Sequence, residues 1–207
     1  MVDHMRYAGA HVIRKENVAE HSYYVTIMAD LLAEDIEEHY ENISINRLNI
    51  LRMALYHDAE EAYTGDMITP VKNKSSQLKQ AWETLCVQMT KEGLAIDFPG
   101  HKHIQKYILH VHEDYEEHKY SKLENLIVKF ADMAQSVVYL LREVQFGNTH
   151  VIPILMNVVR DVERKFKNVK PLNTYAKTLS IYAESIPVSR ENVCVSSGSA
   201  VQQMSAK

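Results

Sequence analysis

Cysteine is nearly missing from this chain. Among 207 residues only Cys86 and Cys194 occur, and they have no paired spacing. That excludes a disulfide framework and a CxxC zinc site, and it fits a reducing, cytoplasmic setting. Glycine and proline are scarce, with six and five residues, so there are few points at which a regular element must stop. No apolar run approaches the roughly 20 residues needed to cross a bilayer, so no membrane span is expected. The N-terminal stretch MVDHMRYAGAHVIRKEN lacks the apolar core of a secretory signal. A basic surplus is missing too. The net charge is −4 with histidines neutral, which argues against stable nucleic-acid binding while leaving room for a local basic pocket. Sustained two-residue alternation is absent, so no sheet of consequence is predicted.

What remains is a helical pattern. The chain is 46% hydrophobic and 24% charged, the balance of one ordinary globular domain. Apolar residues recur at helical spacing in seven stripes: His21, Val25, Met28, Leu32; Leu48, Leu51, Leu55; Leu78, Trp82, Leu85, Met89; Ile104, Ile108, Val111, Tyr115; Ile127, Phe130, Ala134, Val137, Leu141, Val144; Ile152, Leu155, Val159, Val162, Phe166; and Leu172, Tyr175, Leu179, Tyr182, Ile186. Each predicts an amphipathic helix facing a common core. The breaks fall at Gly65 to Ser76 with Pro70, at Pro99-Gly100, at Gly147-Asn148 and at Lys170-Pro171. The expected fold is all-α, a single bundle of about six to eight helices over residues 1–186. Residues 187–207 are polar and small and read as a flexible tail.

Histidine is the one surplus, with eleven residues. Scattered surface histidines are the plain explanation, and a metal site is the alternative. His57, Asp58 and Glu61 share one face if they lie on one helix, presenting an imidazole and two carboxylates. Alone, a His-Asp pair is as well explained by a solvated helix end. His21, however, sits on an apolar stripe, where it must find a polar partner. Asp132 lies in the apolar stretch LIVKFADMAQSVVYLL, where a carboxylate is costly unless it is paired, for example with Lys129, or coordinated. The order His, His-Asp, Asp on separate helices is how bundles assemble metal sites. A di-iron bundle would need Glu-x-x-His pairs, and no glutamate has a histidine three residues on.

This H…HD…D pattern resembles the HD-domain phosphohydrolases, and within them the bacterial 5′-deoxynucleotidases and related deoxynucleotide hydrolases. Met5-Arg6-Tyr7 with ENVAEHS, LYHDAEEAYTGDMITPVK, and EEHKYS followed by VKFAD carry the likeness. The resemblance implies that His21, His57, Asp58 and Asp132 bind one divalent transition-metal cation (Mn, Co, Fe or Zn). It implies that Glu61 positions or deprotonates a water, and that Arg6 clamps phosphate with its bidentate fork. Asp66 and Thr69 would contact sugar or phosphate, Lys72 and Lys129 would add positive charge, and Glu117 and His118 would line the pocket. Tyr7 stands where the deoxynucleotidases carry tryptophan, at a position that shapes the sugar pocket.

The implied reaction is hydrolysis of a deoxyribonucleoside monophosphate by in-line attack of water on phosphorus. The cation would polarise the phosphoryl oxygen and acidify the water. The alternatives are a dNTP (dATP) triphosphohydrolase, with Lys72, Lys74, Lys79 and Lys129 serving a longer phosphate chain, and a non-catalytic helical interaction module. The resemblance also implies a homo-oligomer.

Overall fold

The computed structural model describes residues 11–65, 75–116 and 122–185, and among these residues there is no strand. The helices are α1 (Val18–His39), α2 (Arg47–Tyr56), the single turn α3 (Glu61–Thr64), α4 (Ser76–Asp97), α5 (Lys102–Glu116), α6 (Lys122–Gln145), α7 (Ile152–Phe166) and α8 (Leu172–Ser185), with a 3-10 turn at Thr149–Val151. The expected all-helical bundle is therefore observed, and α3, α4, α6 and α7 end at or just before the breaks that glycine and proline predicted, whereas the ends of α1, α2 and α5 carry no such signal. The proposed tail, 187–207, lies outside the described residues, as does Ile186.

Helix starts follow from capping chemistry. Asn17, Asn46 and Ser75 each accept a hydrogen bond from the backbone N–H three residues on, at Glu20, Asn49 and Leu78. Each thereby satisfies one N–H that the first helical turn leaves unpaired. α3 ends at Gly65, whose φ of 73° and ψ of 163° belong to a region that essentially only glycine occupies. The chain turns out of the helix there.

α6 is the central element. It is buried on nearly every side, through Ile127, Val128, Phe130, Ala131, Ala134, Val137, Leu140 and Leu141 among others. α1, α2, α7 and α8 pack around it. α1 contributes Val25, Ala29, Ala33 and Ile36, α2 contributes Ile50, Met53 and Ala54, and α7 contributes Leu155, Val159, Val162 and Phe166. The stripes expected for α1, α6 and α7 are buried, apart from Met28, Val144 and Ile152, which are partly buried.

Three expected stripes are corrected. On α2, Leu48 and Leu55 are 54% and 48% exposed, while Ile50, Met53 and Ala54 are fully buried. This short helix carries apolar residues on two faces, and the face that meets α1 and α6 is the one buried. On α4, Leu78 and Leu85 are exposed and the buried residues are Cys86, Thr90 and Leu94. α4 packs chiefly on α3 and α5, and its buried residues lie outside the main core cluster, so that core does not orient it. On α8 the buried set is Leu172, Ala176, Ser180 and Ala183, with Tyr182 exposed.

α4 is keyed to α3 at one close contact. A Cβ at Gly93 would lie 2.0 Å from Cδ1 of Tyr63, so the tyrosine ring rests directly on the glycine. The Tyr63 hydroxyl donates to Asp97 Oδ2 at 3.0 Å, one turn further along α4. Burial and this acceptor push the phenol well above its ordinary pKa.

Candidate metal centre

Three separate segments bring one cluster of side chains together. His21 projects from the first turns of α1 and is fully buried. His57 and Asp58 follow the last residue of α2. Asp132 comes from the middle of α6. His21 Nε2 lies 3.3 Å from His57 Nε2, 3.4 Å from Asp58 Oδ2 and 3.3 Å from Asp132 Oδ1. His57 Nε2 lies 3.2 Å from Asp58 Oδ2 and 3.9 Å from Asp132 Oδ1.

The outer ring nitrogens fix which inner atoms carry lone pairs. His57 Nδ1 faces the Ala54 carbonyl at 2.8 Å and can only donate to it. His21 Nδ1 lies 2.8 Å from Gln135 Oε1. With a proton on each Nδ1, both neutral imidazoles present a bare Nε2 to the centre. Two nitrogen lone pairs and two carboxylate oxygens then converge, all acceptors. Such a set is repulsive unless a positive charge occupies it, and its mix of imidazole and carboxylate suits a borderline divalent cation. Among the described residues, His21, His57 and Asp58 offer ligand atoms that all lie within 4.8 Å of one another, and Asp132 faces both imidazoles from α6.

Without a cation, a proton has to serve. Burial opposes the charged form of His57, but the charge and hydrogen bond of Asp58, the charge of Asp132 and the Ala54 carbonyl outweigh it, and its pKa rises to about 9. Burial would favour the neutral acid of Asp132. Lys129, His21 and His57 together hold it well below the usual carboxylate range. Lys129 Nζ donates to Asp132 Oδ2 at 2.8 Å, so the lysine pairing and the approach to the imidazoles use different oxygens of one carboxylate. The two histidine side chains are sealed, whereas those of Asp58 and Asp132 are 18% and 14% accessible. The cluster therefore opens to solvent on its carboxylate side.

Other expected residues are placed as follows. Glu61 is not on one helix with His57. α2 stops at Tyr56, residues 57–60 form turns, and Glu61 opens α3 with its N–H donating to Asp58 O at 3.0 Å. The HD pair thus stands at a break between two helices. The sequence treated it as part of one, because the local backbone stays near helical angles, with φ −59° and ψ −34° at His57. Arg6, Tyr7, Asp66, Thr69, Lys72, Glu117 and His118 lie outside the described residues. Lys165 on α7 was not anticipated. Burial and the like charge of Lys129 lower its pKa, while Asp132 pulls it up, so its ammonium shares the electrostatic environment of the cluster. In sequence it is only one of several cations at a helix C-terminus. Glu16 and Gln135 were missed as well, since neither has a spacing that marks it.

The fold is that of the HD-domain proteins. An HD-domain phosphohydrolase from Listeria innocua superposes with a TM-score of 0.63, at 23% identity over 87% of this chain and 91% of that one. A predicted metal-dependent phosphohydrolase from Magnetospirillum magnetotacticum MS-1 superposes with a TM-score of 0.54, at 22% identity over 83% and 79%. At these identities the likeness establishes the fold. Sequence goes further. The profile of the 5′-deoxynucleotidase YfbR-like family matches residues 1–183. A 5′-deoxynucleotidase of Enterobacter sp. (strain 638) is 32% identical over 140 residues, 68% of this chain and 67% of that protein. 5′-Deoxynucleotidase YfbR of Escherichia coli O6:K15:H31 is 33% identical with the same coverage. The chain belongs to the YfbR-like 5′-deoxynucleotidase family, and it is a hydrolase acting on phosphoric esters.

Proposed function

We propose that this enzyme hydrolyses deoxyribonucleoside 5′-monophosphates to deoxynucleoside and phosphate, with one divalent cation held by His21, His57, Asp58 and Asp132. The observation that carries the proposal is the convergence of two imidazole Nε2 atoms and carboxylate oxygens at 3.2–3.9 Å, drawn from three parts of the chain and made of acceptors only. A bound cation supplies Lewis acidity toward phosphate and water. The donor set accepts Mn²⁺, Fe²⁺, Co²⁺ or Zn²⁺.

The chain's own groups divide the remaining work. Glu61, at the start of α3, accepts the proton of the attacking water. Lys129 and Lys165 lend positive charge to the phosphoryl oxygens from the α6–α7 side. Arg6 clamps the phosphate, and Asp66, Thr69 and Lys72 contact sugar or phosphate, with Tyr7 bounding the sugar. The accessible edge of the cluster, formed by Asp58 and Asp132, is where a phosphate would arrive.

The test is phosphate release from dAMP, dGMP, dCMP and dTMP beside AMP and dATP, with each of the four metals. Orthophosphate from the deoxy monophosphates, abolished in Asp58→Ala, is expected. Tripolyphosphate from dATP with inert monophosphates would overturn the monophosphatase reading in favour of a triphosphohydrolase.

A further inference from the structure

Behind His21, on the side away from the carboxylates, lies a second buried chain of polar groups. His21 Nδ1 is 2.8 Å from Gln135 Oε1. Gln135 Nε2 donates to Glu16 Oε1 at 2.6 Å. Glu16 Oε2 is itself 3.7 Å from His21 Nδ1. All three residues are buried, and they come from the segment before α1, from α1 and from α6. Gln135 follows Asp132 by three residues, so one face of α6 carries both a candidate ligand and the group behind another.

The logic of the chain runs inward from Glu16. An ionised carboxylate only accepts, so it takes the amide N–H of Gln135. That orientation turns the amide oxygen toward His21. An amide oxygen also only accepts, so His21 Nδ1 must carry the proton. His21 Nε2 is then left with its lone pair facing the cluster. Were the amide reversed, its NH₂ would face Nδ1, the proton would move to Nε2, and the atom directed at Asp58 and Asp132 would be a donor. His57 needs no such device, because a backbone carbonyl, Ala54 O, fixes its tautomer directly.

We infer that Glu16 and Gln135 are positioning residues that set the tautomer and ring orientation of His21, and so make it a competent cation ligand. The inference rests on the metal centre proposed above. Outer-sphere partners of ligating histidines typically change metal affinity by about 10- to 100-fold when removed. A role in packing alone would make only the shape of the side chain matter. The tautomer role makes the donor and acceptor pattern matter, and a swap can separate the two.

The full chain is stripped of metal and titrated with Zn²⁺ against a chromophoric chelator, with far-UV circular dichroism confirming the fold of each variant. Gln135→Met keeps the volume and loses both hydrogen bonds, and is expected to bind about 10- to 100-fold more weakly. Glu16→Gln frees the amide to flip and is expected to weaken binding by a smaller factor. The double variant Glu16→Gln/Gln135→Glu rebuilds the chain with its polarity reversed. Glu at 135 accepts from both His21 Nδ1–H and the new amide, and affinity should return to within about threefold of wild type. Wild-type affinity in folded Gln135→Met, or no recovery in the folded swap, would overturn the inference alone. A wild-type chain that takes up none of Mn²⁺, Fe²⁺, Co²⁺ and Zn²⁺ stoichiometrically would overturn the metal centre, and the inference with it.

Discussion

Asp132 shows how much a single side chain can reveal. In sequence it is a carboxylate in an apolar helix, explained by an ion pair, for example with Lys129, or by a cation. In the structure one oxygen accepts from Lys129 Nζ and the other faces His21 Nε2 in the cluster. Asp132→Asn keeps the shape and removes the charge from the cluster. It is expected to lower cation affinity more than about a hundredfold, beyond the usual outer-sphere loss, and to lower kcat in parallel. A chelator competition run beside a phosphate assay reads both. Lys165→Met should act differently. If Lys165 only helps to hold the phosphate, KM rises several-fold while kcat stays near wild type, and an unchanged KM would remove it from the site.

His57 gives a pH signature at the same scale. Its pKa rises from the ordinary 6.5 to about 9 in the cation-free fold. A raised pKa means the folded state binds the proton more tightly than the unfolded state. The stabilisation is complete below about 6.5 and is lost as pH climbs through 9. Metal-free protein should therefore lose Tm between those values. The cation competes with that proton, so its affinity should rise with pH over the same window and level off above it. Calorimetry in buffers of different ionisation enthalpy would reveal the released proton.

At the scale of elements, the position of α3 matters most, because it carries Glu61. α3 is a single turn and cannot stabilise itself. It is held against α4 by the Tyr63 ring seated on Gly93. Gly93→Ala would force the ring aside, an overpacking cost of about 1–3 kcal/mol. Urea unfolding should show that loss, and kcat should fall while metal affinity changes little, because no candidate ligand lies on α3 or α4. Glu143 makes a similar link elsewhere. Its carboxylate accepts from Ile13 N at 2.6 Å, Arg14 N at 2.8 Å and Asn148 Nδ2 at 2.8 Å. Burial opposes its charge, but these three donors win and lower its pKa. Its contribution is present above the ordinary carboxylate pKa and disappears as pH falls through the depressed folded value. Glu143→Gln should therefore destabilise the protein near neutrality and flatten the acid limb of its stability curve, as followed by thermal melts from pH 3 to 7.

For the whole molecule, a cation at the cluster would tie α1, the end of α2 and α6 together. Binding to the folded state alone stabilises it by about 2.7 kcal/mol at a hundredfold excess over Kd. Removal of metal with a chelator should abolish hydrolysis and lower Tm, and adding back one equivalent should restore both. The sequence by itself determined the family, the all-helical class, the helix ends at glycine and proline, and the identity of the cluster, because His21, His57, Asp58 and Asp132 are legible as polar groups in apolar surroundings or in a motif with fixed neighbours. Only the tertiary structure decided which face of α2 and α4 is buried, since both helices carry apolar residues on more than one side and a period cannot choose between them. Only it revealed the break between His57 and Glu61 and the chain from Glu16 through Gln135 to His21. Those relations join residues up to 119 positions apart, and a distance along the chain carries no information about a distance in space until the helices have packed.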